Sequence, residues 1–508
     1  MYCDFADICK MNFSLLSLDF SSVVETVVGW VWSPALVALC LGAGLYFSIR
    51  TRFVQVRHFG EMFRLLFHTD KSQKVGISSF QAFAVALSGR VGTGNIVGVA
   101  TAIGYGGPGA IVWMWIIAFL GAGSAYAEAT LSQIYKEEHA GQFRGGPSYY
   151  IEKGLRSKAF AVLFACSALL ACGLFMPPVQ SNGIAMSFSD TFHIPSAYVG
   201  AGVALLIALV VIGGVRRIAG VAAVVAPFMA ILYVLLSIVI LAFNAPAVPA
   251  ALSDMFRSAM GMHEVFGGIL GTAIAWGVKR GIYSNEAGQG TGAIVAGAAK
   301  VSHPVRQGLV QAFSVYVDTL LVCTATAVMI LATHTYQVTD AAGNVLAASS
   351  VEGLGEPGVS YTIAAVATLI GDSAAGMLIS IALLFFAFTT IMAYYYYAET
   401  SLVYLLGKGR RERLALWLLR ISVVASVFFG SLKEARIIWC LGDIGVGTMA
   451  WINIIAILLL SEKPIKALRA YERQQKNGEK PVFDPDSLKI SGADYWKTNK
   501  ENHGQHNG

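Results

Sequence analysis

The sequence predicts an all-α membrane protein with eleven transmembrane spans. The chain is 56% hydrophobic and only 13% charged, with a mean hydropathy of +0.62, whereas average soluble domains are about 25% charged. Apolar segments long enough for a helix to cross hydrocarbon, about 20 residues, recur along the chain. The basic residues sit in short loops and form no stripe, so we expect contact with membrane lipid and no nucleic-acid partner.

The eleven apolar segments define the predicted spans. They are 28–49, 80–105, 110–135, 160–188, 198–215, 221–243, 265–299, 308–332, 375–406, 414–429 and 437–460. The segment 265–299 is too long for a simple span, and 160–188 contains Pro177 and Pro178, which favour a kink.

The loops alternate between rich and poor in Lys and Arg. One set of loops carries 19 such residues, and the other carries four. Because cytoplasmic loops hold the excess, the richer set is predicted to be cytoplasmic. The N-terminus is then outside and the C-terminus inside, as an odd number of spans requires.

Two spans are interrupted near their middles by glycine-rich polar breaks. The first break holds Gly92, Thr93, Gly94 and Asn95, and the second runs from 283 to 290 and includes Tyr283, Ser284 and Asn285. Such breaks are costly in lipid unless the opened backbone faces protein, ligand or water. Freed N–H groups suit a carboxylate, and freed carbonyls suit Na⁺. A matched pair of breaks therefore predicts a carrier with a binding site at the membrane midplane.

The positions of the breaks suggest hidden symmetry. Without the first span, the broken spans are the first and sixth of ten, which is the arithmetic of a five-plus-five inverted repeat. The alternative is two glycine-rich helices that simply pack closely. The predicted parts are an extracytoplasmic segment, an extra helix with its basic loop, two five-helix repeats and a cytoplasmic polar tail: 1–27, 28–77, 78–243, 244–460 and 461–508.

Three further segments lie outside the spans. We expect 145–151 to open a short helix on the cytoplasmic surface, and 359–370, which is too short to span, to be re-entrant or interfacial. From residue 463 onward the chain is polar and charged, so we expect it to be largely disordered.

Charged residues near the breaks allow two interpretations. Arg90 lies near the first break, and Lys279, Arg280 and Glu286 lie around the second. Glu286 either pairs with these bases to hold the broken helices together or contacts substrate or ion directly. Glu128 and Glu399 lie near the cytoplasmic ends of their spans, and the alternatives for them are an interfacial position and structural pairing. Asp318 and Asp443 lie deeper, and the alternatives there are structural pairing and a role as gate or proton carrier.

The ninth span carries hydroxyl groups that could line a pocket. Thr390 and Tyr394 are spaced i and i+4 and share a helix face, whereas Thr389 points about 100° away, toward a possible ion. Gln180, in the fourth span, needs a hydrogen-bonding partner in lipid and is a further pocket candidate.

Four motifs of this chain resemble the alanine or glycine:cation symporter family. They occupy 88–96, 145–151, 277–288 and 386–390. The resemblance implies a LeuT-type fold with one extra N-terminal helix, in a bacterial inner membrane. It also implies Na⁺-coupled uptake of alanine or glycine by alternating access, without an obligatory protein partner.

The resemblance also implies roles for individual residues. The first break would hold the substrate carboxylate, and Tyr283 would line the pocket. The other implied pocket residues are Gln180, Ser284, Asn285, Thr390 and Tyr394. The implied Na⁺ ligands are Gly92, Asn95, Thr389 and Thr390, and the gating or structural charges are Arg90, Lys279, Arg280, Glu286 and Asp318.

One departure from the family and several alternatives stay open. Alanine carriers of the family tend to have Gly-Trp where this chain has Ala393-Tyr394, so a larger substrate such as glutamine is an alternative, as is H⁺ coupling. A channel would also place polar backbone at mid-membrane. We do not expect an enzyme, because the sequence has no His-Glu-x-x-His, Gly-x-Ser-x-Gly or Cys-x-x-Cys motif.

Overall fold

The computed structural model describes residues 20–67, 75–263, 265–340, 342–407 and 409–497. Most of the predicted N-terminal segment, part of the basic loop after the first span and the last residues of the predicted tail lie outside the described residues.

The described chain is almost entirely helical. In chain order the α-helices are α1 (20–31), α2 (Pro34–Arg50), α3 (Val54–Arg57), α4 (Phe59–Leu66), α5 (Ser79–Arg90), α6 (Val99–Gly106), α7 (Gly109–Ile134), α8 (Pro147–Leu155), α9 (Lys158–Leu170), α10 (Met176–Phe192), α11 (Ser196–Val211), α12 (Gly214–Phe243), α13 (Val248–Ala259), α14 (Leu270–Asn285), α15 (Thr291–Ala298), α16 (Pro304–Val315), α17 (Thr324–Ala332), α18 (Val359–Ile370), α19 (Asp372–Leu406), α20 (Arg410–Leu432), α21 (Ala435–Leu459) and α22 (Glu462–Lys476).

Shorter elements join or extend these helices. The π-helical segments are Gly94–Gly98, Ala171–Phe175 and Tyr316–Cys323, and the 3₁₀ turns are Ala245–Ala247 and Gly267–Ile269. Two antiparallel hairpins pair β1 (Glu137–His139) with β2 (Gln142–Arg144) and β3 (Val338–Thr339) with β4 (Val345–Ala347).

Within the described residues, eight helical segments are long and apolar enough to cross a membrane. They are Phe20–Arg50, Gly109–Ile134, Lys158–Phe192, Gly214–Phe243, Pro304–Ala332, Asp372–Leu406, Arg410–Leu432 and Ala435–Leu459, and the pair Ser79–Arg90 and Gly94–Gly106, bent by 52°, makes a ninth. The predicted all-α membrane protein is confirmed. The predicted spans 198–215 and 265–299 are helical, but α11 has only 16 residues and the other is divided between α14 and α15, so the number eleven stays a prediction.

The first broken helix is interrupted where sequence analysis places the break. α5 begins with a capping box between Ser78 and Gln81 and ends at Arg90, because Val91 turns to extended geometry (φ −79°, ψ 95°). The chain resumes as the π-helix Gly94–Gly98. The turn at Val91 takes the N–H groups that follow it out of the helical hydrogen-bond pattern.

The second break depends on left-handed backbone. α14 ends at Asn285, so Tyr283, Ser284 and Asn285, which sequence analysis placed in the break, are helical, and the break begins at Glu286. Glu286, Gly288 and Gly290 have φ of 56°, 82° and 93°. Glycine adopts such angles without steric cost, whereas Glu286 adopts them only under local strain. This strain indicates that neighbouring contacts fix the second break firmly.

Burial separates the central helices from the peripheral ones. The most apolar windows of Gly109–Ile134 and Pro304–Ala332 are 72% buried, whereas that of Gly214–Phe243 is 33% buried. α7 packs against α14, α15 and α16, and the π-helix Gly94–Gly98 packs against α14. The two broken helices therefore lie side by side in the middle of the protein.

Two of the predicted accessory segments form helices: α8 covers most of 145–151, and α18 covers 359–370. The prediction of a largely disordered tail is wrong for the part that the structure describes. α22 and the following chain to residue 497 pack onto the protein, with Leu468, Phe483 and Trp496 buried. The Trp496 indole donates to the Gln133 carbonyl at 2.9 Å. A few apolar anchors in a polar sequence suffice for this docking, which is why composition gave the wrong answer.

Candidate substrate and ion site

The opened backbone of the first break is held by neutral side chains. The Gly92 N–H donates to Asn95 Oδ1 at 2.8 Å, and the Thr93 N–H donates to Gln180 Oε1 at 3.0 Å. Gln180 comes from α10, and all four groups are buried. These two N–H groups are donors that a carboxylate can take over from the side-chain oxygens.

Thr390 connects α19 to the end of the first broken helix. Its hydroxyl lies 2.8 Å from the Ser88 carbonyl, 3.1 Å from that of Val91 and 2.9 Å from that of Phe386. Thr389 Oγ1 lies 3.0 Å from the same Phe386 carbonyl. Neutral hydroxyl and carbonyl oxygens converge here, which is the ligand chemistry that hard cations prefer.

Sequence analysis named the two threonines but not the carbonyls of Ser88 and Val91. A backbone carbonyl leaves no mark in a sequence, and only the helix break predicted that some carbonyls would be free. The Gly92 carbonyl, which sequence analysis offered to Na⁺, lies 3.2 Å from the Asn95 N–H.

The Asn95 side chain also connects the first break to a network around Asp318. Its amide donates to Asp318 Oδ1 at 2.7 Å, and Ser284 Oγ donates to the two oxygens of this carboxylate at 3.0 and 2.9 Å. Thr319 adds a third donor at 2.7 Å. Asp318 thus joins both broken helices through hydrogen bonds to neutral donors.

Tyr283 packs against the first break, and Tyr394 packs against Tyr397. A side chain at Gly94 would meet the Tyr283 ring at 3.3 Å, so the two broken helices touch at this point. The Tyr394 ring centre lies 6.1 Å from that of Tyr397, whose hydroxyl donates to Glu286 at 3.3 Å.

Asp443 of α21 forms ion pairs with the two basic residues of α14. Arg280 contacts its carboxylate at 3.0 and 3.2 Å, and Lys279 Nζ lies 2.6 Å from it. The Arg280 guanidinium also lies 4.5 Å from the Trp439 ring centre and 5.6 Å from that of Tyr283. This group, called the Asp443 cluster below, packs against the Tyr283 ring. In the sequence, this cluster was indicated by one acidic residue, Asp443, in an apolar span.

Arg90 binds the second broken helix through backbone and neutral groups. Its Nε donates to the Asn285 carbonyl at 2.6 Å, and Nη1 donates to Gln311 and Ser314 on α16. Within the described residues, Glu286 has no basic nitrogen within 4.0 Å. The suggested pairing of Glu286 with Arg90, Lys279 or Arg280 is therefore not what the structure has. Asp443 binds the two bases of α14, and Arg90 is held by neutral groups.

A sequence model of the sodium:alanine symporter family matches residues 18–485. The chain belongs to this family. The match confirms the predicted family and, with it, the class of membrane symporters and Na⁺ as the coupling ion of that class.

Three relatives match over most of their length. YrbD of Bacillus subtilis, a carrier protein named for sodium/proton-dependent alanine transport, is 53% identical over 479 residues, covering 94% of this chain and 97% of the relative. The sodium/proton-dependent alanine carrier protein of Bacillus sp. strain PS3 is 46% identical over 427 residues (84% and 95%). GlnT of B. subtilis, named as a sodium/glutamine symporter, is 39% identical over 491 residues (96% and 98%).

Proposed function

We propose that this chain is a Na⁺-coupled symporter that carries a small neutral amino acid, alanine or glycine, into the cell by alternating access, and that it is not an enzyme. The proposal includes a LeuT-type arrangement of eleven spans, with repeats at 78–243 and 244–460. It also includes a place in the bacterial inner membrane, among lipids, with the N-terminus outside and the C-terminus in the cytoplasm.

The observation that carries the proposal is the pair of N–H groups at Gly92 and Thr93. Each is buried at the break between α5 and the π-helix Gly94–Gly98 and is held by a side-chain oxygen from Asn95 or Gln180. An amino-acid carboxylate supplies the same acceptors with a negative charge, and charge-assisted hydrogen bonds are about twice as strong as neutral ones. The substrate then displaces the two side chains, and the site closes around it.

The Na⁺ site of the proposal lies where α19 meets the end of α5. The ligands are the hydroxyls of Thr389 and Thr390 together with the carbonyls of Ser88 and Val91. Because these groups come from two helices, bound Na⁺ fixes their separation. That coupling of ion binding to helix position is what alternating access needs.

The contact between Tyr283 and Gly94 favours a small substrate side chain. The ring is within 3.3 Å of the space that a side chain at Gly94 would take, which leaves little room beside the break. Glutamine transport, as in the name of GlnT, is the second candidate, and it requires Tyr283 or Tyr394 to move away from the break.

The experiment is uptake of labelled alanine into proteoliposomes with and without an inward Na⁺ gradient, with excess unlabelled glycine, serine and glutamine as competitors. Thr390→Val should raise the half-saturating Na⁺ concentration by roughly 10- to 100-fold, because a ligand to a charged group is lost. Thr368→Val is the matched control, since in the described part of the chain the Thr368 hydroxyl bonds to its own helix alone, at the Ala365 carbonyl (2.7 Å).

Sodium-driven uptake blocked best by glycine supports the proposal, and block by glutamine alone reassigns the substrate. Alanine uptake at the same rate with and without a Na⁺ gradient would refute the proposed Na⁺ coupling. If Thr390→Val and Thr368→Val show the same Na⁺ dependence, the Na⁺ site is not on α19.

A further inference from the structure

The two broken helices are joined by backbone hydrogen bonds at the ends that face the tail. The Ile77 N–H, just before α5, donates to the Ala298 carbonyl of α15 at 3.1 Å, and the Lys300 N–H donates to the Ile77 carbonyl at 2.9 Å. These bonds form a short parallel bridge between Ile77 and Ala299, called the junction below. In the proposed orientation the junction lies on the cytoplasmic side, beyond both breaks.

Two polar side chains at the end of α7 hold the junction. The Gln133 amide donates to the carbonyls of Ala296 and Ala299, in the latter case at 2.9 Å, and Lys136 Nζ donates to the Ala299 carbonyl at 3.2 Å. Both side chains are buried. Carbonyls at the C-terminal end of a helix need such donors from outside the helix. The end of α15 is therefore fixed by Gln133 and Lys136.

The distal tail, which is residues 477–497 beyond α22, covers these two residues. The Trp496 indole donates to the Gln133 carbonyl at 2.9 Å. The Lys136 ammonium lies 4.7 Å from the Tyr495 ring centre and 5.1 Å from that of Trp496, which are distances at which a cation is attracted to an aromatic face. The distal tail thus contacts both residues that hold the junction.

Phe143 of β2 connects the distal tail to the start of α5. Its ring centre lies 4.2 Å from the Lys136 ammonium and 5.0 Å from the Tyr495 ring centre. A Cβ on Gly76 would lie 2.6 Å from the Phe143 ring, so this ring lies against the residue that precedes Ile77. The distal tail, the β1–β2 hairpin and the end of α7 therefore pack together around the junction.

The tail has two parts that are held differently. α22 is tied to α3 by an ion pair between Glu472 and Arg57 at 2.7 Å. Most residues of the distal tail are exposed or half-buried, and its ion pair between Asp494 and Lys153, at 3.2 Å, has an Asp494 side chain that is 68% exposed. Exposed pairs contribute little, and segments with few buried contacts open locally at low cost. The distal tail can therefore leave its place while α22 stays docked.

We propose that the distal tail is a cytoplasmic latch, which holds the site closed to the cytoplasm while it is docked and undocks to let the substrate leave. The proposal rests on the proposed function, which supplies alternating access and the orientation of the chain. α5 and α15 run from the two breaks to this side, so a path from the breaks to the cytoplasm opens by separating the junction. With Trp496 docked, that separation also disrupts the packing of the distal tail on the end of α7. Undocking removes this cost, and the latch thereby sets the fraction of carriers that is open to the cytoplasm.

The test measures hydrogen exchange of the full chain in lipid nanodiscs at three places: the distal tail, the junction and α18, which lies on the opposite side of the membrane in the proposed orientation. Trp496→Ala should speed exchange of the distal tail and of the Ile77 and Lys300 amides by at least about tenfold, because truncation of a buried Trp removes a large apolar contact. Trp496→Phe keeps a ring beside Lys136 but loses the indole N–H, so it should give an intermediate increase. α18 should exchange as in the wild type.

Lys497→Gln is the matched control. Lys497 follows Trp496 directly, and its ammonium pairs with Asp486 inside the distal tail at 2.5 Å, where the two side chains are 44% and 63% exposed. This variant breaks a contact of the tail with itself. Exchange at the junction should therefore equal that of the wild type.

Transport gives a second measurement that a merely structural role of the tail would not change. A carrier population shifted toward the cytoplasm-open state presents its site less often to external substrate, so Trp496→Ala should raise the external alanine concentration for half-maximal uptake by roughly 3- to 10-fold. Lys497→Gln, and substitutions that act on α22 alone, leave the latch docked and should keep the wild-type value. A tail that only stabilises the fold would lower the thermal unfolding midpoint and leave this concentration unchanged.

The outcomes are separable. Faster exchange of the distal tail with wild-type exchange at the junction would refute the latch, as would an equal effect of Lys497→Gln. If Trp496→Ala leaves the distal tail docked, Phe483→Ala/Trp496→Ala replaces it, because the two rings pack together with centres 5.3 Å apart. If Trp496→Ala does not give a monodisperse protein, the same comparison is made with Trp496→Phe. A wild type without Na⁺-driven alanine uptake would refute the proposed function, whereas exchange at the junction needs no transport and tests the latch separately.

Discussion

The two breaks share a sequence signature but differ in the groups that hold them. At the first break, neutral oxygens of Asn95 and Gln180 cap the free N–H groups. At the second, Arg90 and Asn453 hold the free carbonyls, and the backbone adopts left-handed angles. Neutral partners are exchanged easily for a ligand, whereas a buried charge cannot leave its partners cheaply. From this comparison we propose that the first break binds the substrate and the second fixes the geometry around it.

The largest effect should come from filling the first break. A Cβ on Gly92 would lie 2.5 Å from Thr390 Oγ1 and 2.7 Å from Gln180 Oε1. Gly92→Ala therefore displaces both the proposed ion ligand and the proposed substrate ligand, and we expect uptake to fall by roughly 100-fold or more. The measurement is the initial rate of Na⁺-driven alanine uptake.

Gly98→Ala is the control for Gly92→Ala, because Gly98 lies in the π-helix that directly follows the break. Among the described residues, its Cβ would meet nothing closer than 3.7 Å. It should retain most activity. If Gly92→Ala also transports at a near-normal rate, the first break does not bind the cargo.

The second effect concerns the Asp443 cluster. Asp443→Asn leaves Lys279 and Arg280 buried without their carboxylate, a loss of roughly 3 kcal/mol or more. We expect a lower thermal unfolding midpoint and slower uptake, with the Na⁺ concentration for half-saturation unchanged. Arg436→Gln breaks the exposed pair with Glu25 (2.7 Å, Arg436 side chain 75% exposed) and should change little. A shifted Na⁺ dependence in Asp443→Asn would show that the two regions are not separate.

A smaller effect should follow from straining the second break. Gly290 has φ 93°, and a Cβ there would lie 2.6 Å from Pro147 Cγ. Gly290→Ala should therefore destabilise the protein by about 1–3 kcal/mol while the protein that folds binds alanine with normal affinity. Thermal unfolding and alanine binding on the same sample check this. Gly271→Ala, at an open position of α14, is the control, and a selective loss of affinity in Gly290→Ala would contradict the comparison.

Sequence analysis located both breaks because glycine and polar residues stand out in apolar spans. It also predicted that Thr389 and Thr390 bind an ion. Helix geometry suggested this for Thr389, and the family resemblance implied it for both. It could not find the partners of buried charges: Arg280 and Asp443 are 163 residues apart, and a sequence shows charges without showing which ones meet. The sequence could not identify the carbonyls of Ser88 and Val91 as ligands, because every residue has a backbone carbonyl.

The docked tail was missed because its apolar anchors are few and widely spaced. Tyr471, Phe483 and Trp496 are buried, but they are separated by polar segments that typify disorder. What fixes the tail is a set of contacts from distant helices, including Arg57 to Glu472 at 2.7 Å. Tertiary partners of this kind override composition.

The smallest effect should arise at this tail, far from both breaks. Glu61, at 2.7 Å, and Glu472 of α22, at 3.0 Å, raise the pKa of His58 above its ordinary value of 6.5. A raised pKa stabilises the docked state fully below the ordinary value, and this support is lost as pH rises through the raised one. Hydrogen exchange of α22, corrected for its intrinsic pH dependence, should therefore quicken from pH 6 to 8.5 by a few-fold. The change stays small because Arg57 and Tyr471 keep their bonds.

His58→Gln should flatten the pH response and leave the Na⁺ and alanine dependence of uptake unchanged. An identical pH response in this variant would assign the effect to another titrating group. An altered Na⁺ dependence of uptake would show that the docked tail is coupled to the proposed Na⁺ site at the first break.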